Sequence, residues 1–272
     1  MGNFLSLLHN ENIKIYSRAR TWVMLGILAL LAAGFPLLLY FTGGPANQPS
    51  NWDSFQMTVS ILFFLSTIFT VVIASDSVAG EFSWGTVKLL LIRPWNRSSI
   101  LFSKYLAMVL FSLLVTVVLT GFAYAASWIL FDPGEFTVWA MFKDGGGRAL
   151  DQSAWTPVNF LLADIGCRYL QLFMTAGLAF MISSVFRASG LAIGLSMFLI
   201  FANSIIANIF SPESYAWAKY LLFSHMDLHV YLSAETGPGG VTLGMALAVL
   251  AAYYAAFMLV SWTVFSRRDV AA

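Results

Sequence analysis

Gln56-Met57-Thr58-Val59-Ser60-Ile61-Leu62-Phe63-Phe64-Leu65-Ser66-Thr67-Ile68-Phe69-Thr70-Val71-Val72-Ile73-Ala74-Ser75 runs between Asp53 and Asp76 without a single charged side chain. A helix needs about 20 mostly apolar residues to cross a hydrocarbon core of about 30 Å. In lipid the backbone must satisfy its own hydrogen bonds, which leaves helices or a closed barrel. A barrel strand would alternate polar and apolar residues. The run Ile61-Leu62-Phe63-Phe64-Leu65 does not, so the stretch reads as a membrane-spanning helix.

Working outward, charged residues punctuate the whole chain in the same way. Charge-poor gaps predict further spans over residues 21–41, 105–130, 160–185, 190–210 and 241–265, giving six with 56–75. Only 10% of the 272 residues are charged and 59% are hydrophobic, against about 25% charged in soluble domains. A surface so poor in charge faces mostly lipid. The formal net charge of +1 offers no argument for nucleic acid, and the one cysteine excludes an internal disulfide or a multi-cysteine metal site. With the N-terminus inside, ten Lys and Arg (Lys14, Arg18, Arg20, Lys88, Arg93, Arg97, Lys104, Arg187, Arg267, Arg268) fall on the inner side. Four (Lys143, Arg148, Arg168, Lys219) fall outside. That bias predicts both termini in the cytoplasm. The expected class is an all-α membrane protein of one domain over residues 1–272, located in the cell membrane.

Two segments next to the spans stand out. Residues 3–20 place Phe4, Leu7, Leu8 and Ile15 near one helical face, with Lys14, Arg18 and Arg20 as cations and Glu11 interrupting the stripe. This predicts an amphipathic helix in the inner interface. The inner loop 76–104 is longer than an ordinary connection. It carries Gly80-Glu81, Trp84-Gly85-Thr86, Lys88, an apolar run over 87–92 and Arg93-Pro94. Pro94 stops a helix, and Asn96 or Ser98 can cap the next. The loop reads either as a short cytoplasmic helix presenting Glu81, Trp84 and Lys88 outward, since exposed aromatics beside charges mark interfaces, or as an interfacial loop held by Trp and Arg anchors.

Within the spans, Gln56, Ser60, Thr67 and Thr70 lie roughly along one face of the second, and Asn203, Ser204 and Asn208 lie in the fifth. Such groups line a polar route or hydrogen-bond neighbouring helices, and sequence does not separate the two. Gly190 and Gly194 form a Gly-x-x-x-Gly pattern that permits close helix approach. Asp164 and Arg168, one turn apart, read as an ion pair. His225 and His229, with Asp227 between them, are spaced for one helical face but fall short of a full ligand set, so no metal site is expected. No Gly-x-x-x-x-Gly-Lys-Ser/Thr loop, His-Glu-x-x-His or Gly-x-Ser-x-Gly motif occurs, so the chain itself is expected to be neither an ATPase nor a hydrolase.

Gly80-Glu81, Gly85-Thr86, the apolar turn, Arg93-Pro94, Arg97 and Lys104, with the ending Phe265-Ser266-Arg267-Arg268-Asp269-Val270, resemble an ABC-2 type transporter permease of the short six-helix variety. That resemblance implies a connecting helix over 3–20 and a coupling helix within 77–92. Gly80, Glu81, Trp84, Gly85, Thr86, Lys88 and Arg93 would dock on a separate ATP-binding cassette ATPase. It further implies that residues 211–240 dip back towards the membrane, and that a second permease chain pairs so that spans two and five line a central route. ATP and Mg belong to the partner subunit, with no cofactor bound here, and export is the implied direction. Two other classes stand beside it: an ATP-independent secondary transporter or channel, and an intramembrane enzyme. The scarcity of ionisable groups in the spans counts against the first, and the second has only Asp76 and Glu81 as close inner carboxylates.

Overall fold

The computed structural model of the chain describes residues 4–43, 49–86, 95–134, 156–233 and 236–267. A short helix α1 (Phe4–Tyr16) leads into α2 (Ala19–Thr42), α3 (Asn51–Ser83), α4 (Arg97–Leu130), α5 (Pro157–Val185) and α6 (Ser189–Ile209). Two 3₁₀ turns (Ala216–Tyr220 and Leu222–His225) and the helical turn α7 (Val230–Ser233) follow. A two-stranded hairpin, β1 (Thr236–Gly237) and β2 (Val241–Thr242), then leads into α8 (Leu243–Arg267). The six helices α2, α3, α4, α5, α6 and α8 are long and apolar enough to cross a membrane, so the chain is an all-α multi-pass membrane protein but for this small hairpin.

The helices start and stop where local chemistry directs. Ser50 and Thr156 cap α3 and α5, their hydroxyls accepting from the amides of Asp53 and Asn159. Asn96 occupies the cap position of α4 but makes no side-chain cap bond. At the far end of α3 the Trp84 amide donates to the Gly80 carbonyl, and Gly85 follows at φ 69°. That is a left-handed backbone glycine adopts without a Cβ clash, and it ends the helix.

Two helices overrun their expected spans. At 1.5 Å per residue the 33 residues of α3 reach about 50 Å, well beyond a hydrocarbon core. The 34 residues of α4 start at Arg97, not near residue 105. The physical reason is that charge marks the membrane edge, while a helix ends only where capping or backbone geometry ends it. As a consequence, residues 77–83, read from sequence as part of the inner loop, form the last turns of α3. A turn follows at 84–86, and residues 87–94 lie outside those described.

The core sits around α3, which packs against α2, α4, α5 and α6. Leu28, Val59, Phe111 and Leu172 are fully buried in one cluster, and Leu101, Met108 and Phe180 in a second beneath α1. Polar links join the helices between these clusters, as expected where lipid supplies no hydrophobic force between spans. Ser54 meets Ser127 (3.2 Å), Ser75 meets Ser196 (3.0 Å), and Ser112 meets Tyr169 (3.0 Å). The Ser183 hydroxyl of α5 accepts from two α3 amides, Val78 (3.1 Å) and Ala79 (2.9 Å). Among the described residues, nothing lies within 4 Å of a Cβ built at Gly190 or Gly194.

Candidate functional site

Charge pairing gathers α1, α3 and α4 into one assembly at the N-terminal end of the bundle. Lys14 Nζ lies 2.8 Å from Glu11 and 2.7 Å from Glu81. Lys104 Nζ lies 2.8 Å from Glu11 and 3.0 Å from Glu81. The four side chains close a ring of alternating charge. Glu11, which in sequence interrupts the apolar stripe of α1, therefore sits on the packed face with Leu7, because its charge is met from both sides. Burial alone lowers the pKa of the Lys14 ammonium. The Glu11 charge, with hydrogen bonds to Glu11 and Glu81, outweighs that and holds it above its ordinary 10.5.

Five residues before Glu81, Asp76 forms a second centre. Its Oδ2 accepts from both Arg18 and Arg20, and its Oδ1 accepts from the Ser189 hydroxyl at the start of α6. Gly80 makes room for this, since a Cβ there would stand 2.8 Å from Asp76 Oδ1. The two centres border a cavity of about 430 Å³, whose remaining wall includes Leu7, Ile73, Ile100, Met108, Trp84 and Trp95.

The residues expected to dock a partner divide accordingly. Trp84 is 75% exposed at the tip of α3; Gly85 and Thr86 share its turn. Glu81 is not presented outward: it is held inside by Lys14, Lys104 and the Thr86 hydroxyl. Gly80 is buried beneath Asp76. Lys88 and Arg93 lie outside the described residues. Sequence reasoning missed the ring itself. Its only trace was the presence of carboxylates and lysines in equal number beside the spans, at Glu11, Lys14, Glu81 and Lys104.

The polar residues of spans two and five only partly converge. Ser60, Thr67 and Asn203 line a second cavity of about 210 Å³, with Arg168, Gln171 and Thr175 of α5. Asn203 Oδ1 is buried there without a hydrogen-bond partner. Gln56 and Thr70 are buried elsewhere along α3, donating to the Trp52 and Ser66 carbonyls (3.3 and 2.9 Å). Asn208 is exposed, and the side chain of Ser204 lies outside the described residues. The Asp164–Arg168 ion pair is present (3.0 Å), and Arg168 also donates to Ser60 (2.7 Å). His229 Nδ1 approaches Asp164 (3.0 Å), whereas His225 meets the Lys219 carbonyl (2.8 Å). The two histidines thus face different partners, and among the described residues no three His, Cys, Asp or Glu side chains come together as a metal site would require.

Residues 23–271 match the family model described as a protein of unknown function, DUF2705. The uncharacterized protein YhcI of Bacillus subtilis is 33% identical, over 98% of this chain and 99% of its own length. The uncharacterized membrane protein YdbK of the same organism is 28% identical over 95% and 99%. The probable ABC transporter permease protein NosY of Stutzerimonas stutzeri is 26% identical over 89% and 90%.

Proposed function

The chain belongs to the DUF2705 family, and we propose that it is the membrane permease subunit of an ATP-binding cassette exporter of the ABC-2 type. A separate ATPase polypeptide supplies the energy, a second permease chain completes the assembly, and both termini face the cytoplasm. The observation that carries this is the tip of α3. An exposed Trp84 stands on a helix whose last turns are fastened to α1, α4, α5 and α6 through Glu81, Ser183 and Asp76. A force delivered at such a tip is not absorbed locally but passes to the spans. Similarity to a probable permease along nearly the whole length of both chains supports the same reading. Bound nucleotide shifts the assembly only by binding one of its states more tightly than the other. The ATPase would therefore close on nucleotide and displace the Trp84 turn.

The test is purification of the tagged chain in mild detergent from its own host, followed by identification of what accompanies it. The expected result is a second polypeptide carrying a Gly-x-x-x-x-Gly-Lys-Ser/Thr loop, with ATPase activity that depends on the chain. Solute movement by the chain alone in vesicles without ATP would instead make it a secondary transporter or channel.

A further inference from the structure

We propose that the 430 Å³ cavity between α1, α3 and α4 holds the phosphate headgroup of an anionic phospholipid from the leaflet on the α1 side. This inference does not depend on the transporter reading. The cavity is lined by four cations (Lys14, Arg18, Arg20, Lys104) and three anions (Glu11, Asp76, Glu81). The alternating ring uses two of each, so it is neutral. That leaves Arg18 and Arg20 sharing the single carboxylate of Asp76, on the same oxygen. Among the described residues lining the cavity, one positive charge is uncompensated. A guanidinium fork suits the oxygens of a phosphate. Arg18 also stands at the N-cap of α2, the positive end of the helix dipole.

The rest of the cavity selects an amphiphile over a free anion. Much of its wall beyond the charges is apolar, through Leu7, Ile73, Ile100 and Met108 and the rings of Trp84 and Trp95. Its volume is far greater than a phosphate ion needs and lies in the range of ordinary ligand sites. Leu5 and Ile13 expose apolar side chains on the outside of α1, which sets the cavity beside the lipid boundary. Basic residues next to a span attract anionic lipid, and each adds to the preference.

The experiment is native mass spectrometry of the full chain, released from micelles doped with equal phosphatidylglycerol and phosphatidylcholine of the same acyl chains. The expected result is retention of phosphatidylglycerol about tenfold above phosphatidylcholine. Arg20→Gln should bring the two lipids to parity. So should Ala107→Leu, which fills the cavity wall without altering charge, and Lys219→Gln, remote from the cavity, should leave the preference intact. Equal retention of both lipids by the parent overturns the proposal. It is also overturned if the preference persists in both cavity variants. If the chain retains added inorganic phosphate but no phosphatidylglycerol, the ligand is a free anion and the lipid assignment fails.

Discussion

Glu11 and Lys104 stand 93 positions apart in the chain, and their side chains meet at 2.8 Å with only 6% and 3% of their surfaces exposed. Lys104 also serves Glu81, so one ammonium neutralises a carboxylate from each of two other helices. Removing one partner of a buried pair leaves a charge in a medium that does not solvate it.

Lys104→Met therefore leaves Glu11 and Glu81 to share Lys14. The expected loss is about 3 to 5 kcal/mol, seen as a sharply lowered midpoint of thermal unfolding in detergent. Adding Glu11→Gln to the same variant should recover part of it. An unchanged midpoint in the single variant would show that the ring does not hold α1 to the bundle.

Gly80→Ala sets a methyl group 2.8 Å from Asp76 Oδ1. The carboxylate must move, loosening its contacts with Arg18, Arg20 and Ser189. Overpacking of this kind costs about 1 to 3 kcal/mol. Gly26→Ala, where a Cβ meets nothing within 4 Å, should instead gain about 0.5 to 1 kcal/mol from lost chain entropy. Paired melting curves of the two variants check the contrast.

Trp84→Ala removes an exposed side chain, so its melting midpoint should match the parent within about 0.5 kcal/mol. Under the permease reading the same variant no longer retains the ATPase on purification. A variant that folds normally and still brings down a full complement of ATPase would remove Trp84 from the docking surface.

Asn203→Leu discards a buried acceptor that has no partner. Stability should hold or rise by about 1 kcal/mol, since an unsatisfied polar group is costly to bury. If the 210 Å³ cavity is part of the route, transport by the reconstituted complex should fall while the melting midpoint does not.

Lys14 gives a pH expectation whose sign follows from its raised pKa. A base with a raised pKa in the fold contributes stability below its unfolded pKa, and that contribution fades as pH climbs through the folded value. Melting midpoints should thus be indifferent to Lys14→Gln only in strong alkali, above the raised folded value, which itself lies above 10.5. At neutral pH the variant should melt lower than the parent.

The spans were legible because lipid imposes a simple rule, about 20 apolar residues between charges. All six long helices contain such a stretch. Their ends were less legible, because Asp76 marks a change of solvent, whereas α3 stops only at the positive φ of Gly85. Of the charge ring only the i,i+3 pair of Glu11 and Lys14 has a local spacing. Glu11 meets Lys104 across 93 positions, and Lys14 meets Glu81 across 67; no local spacing encodes either. Polar residues of spans two and five were ambiguous for a different reason. Thr67 and Thr70 bond their own helix's carbonyls four residues back, at 3.0 and 2.9 Å, so they need neither a solute nor a neighbouring helix.

The hydroxyl of Ser183 has one further consequence. With the Val78 and Ala79 amides both donating to it, α3 cannot twist about its own axis or slide along α5 without surrendering two contacts at once. Mechanically the pair is a spliced beam: load applied near one end travels down two columns together, and any bending must occur on the far side of the splice.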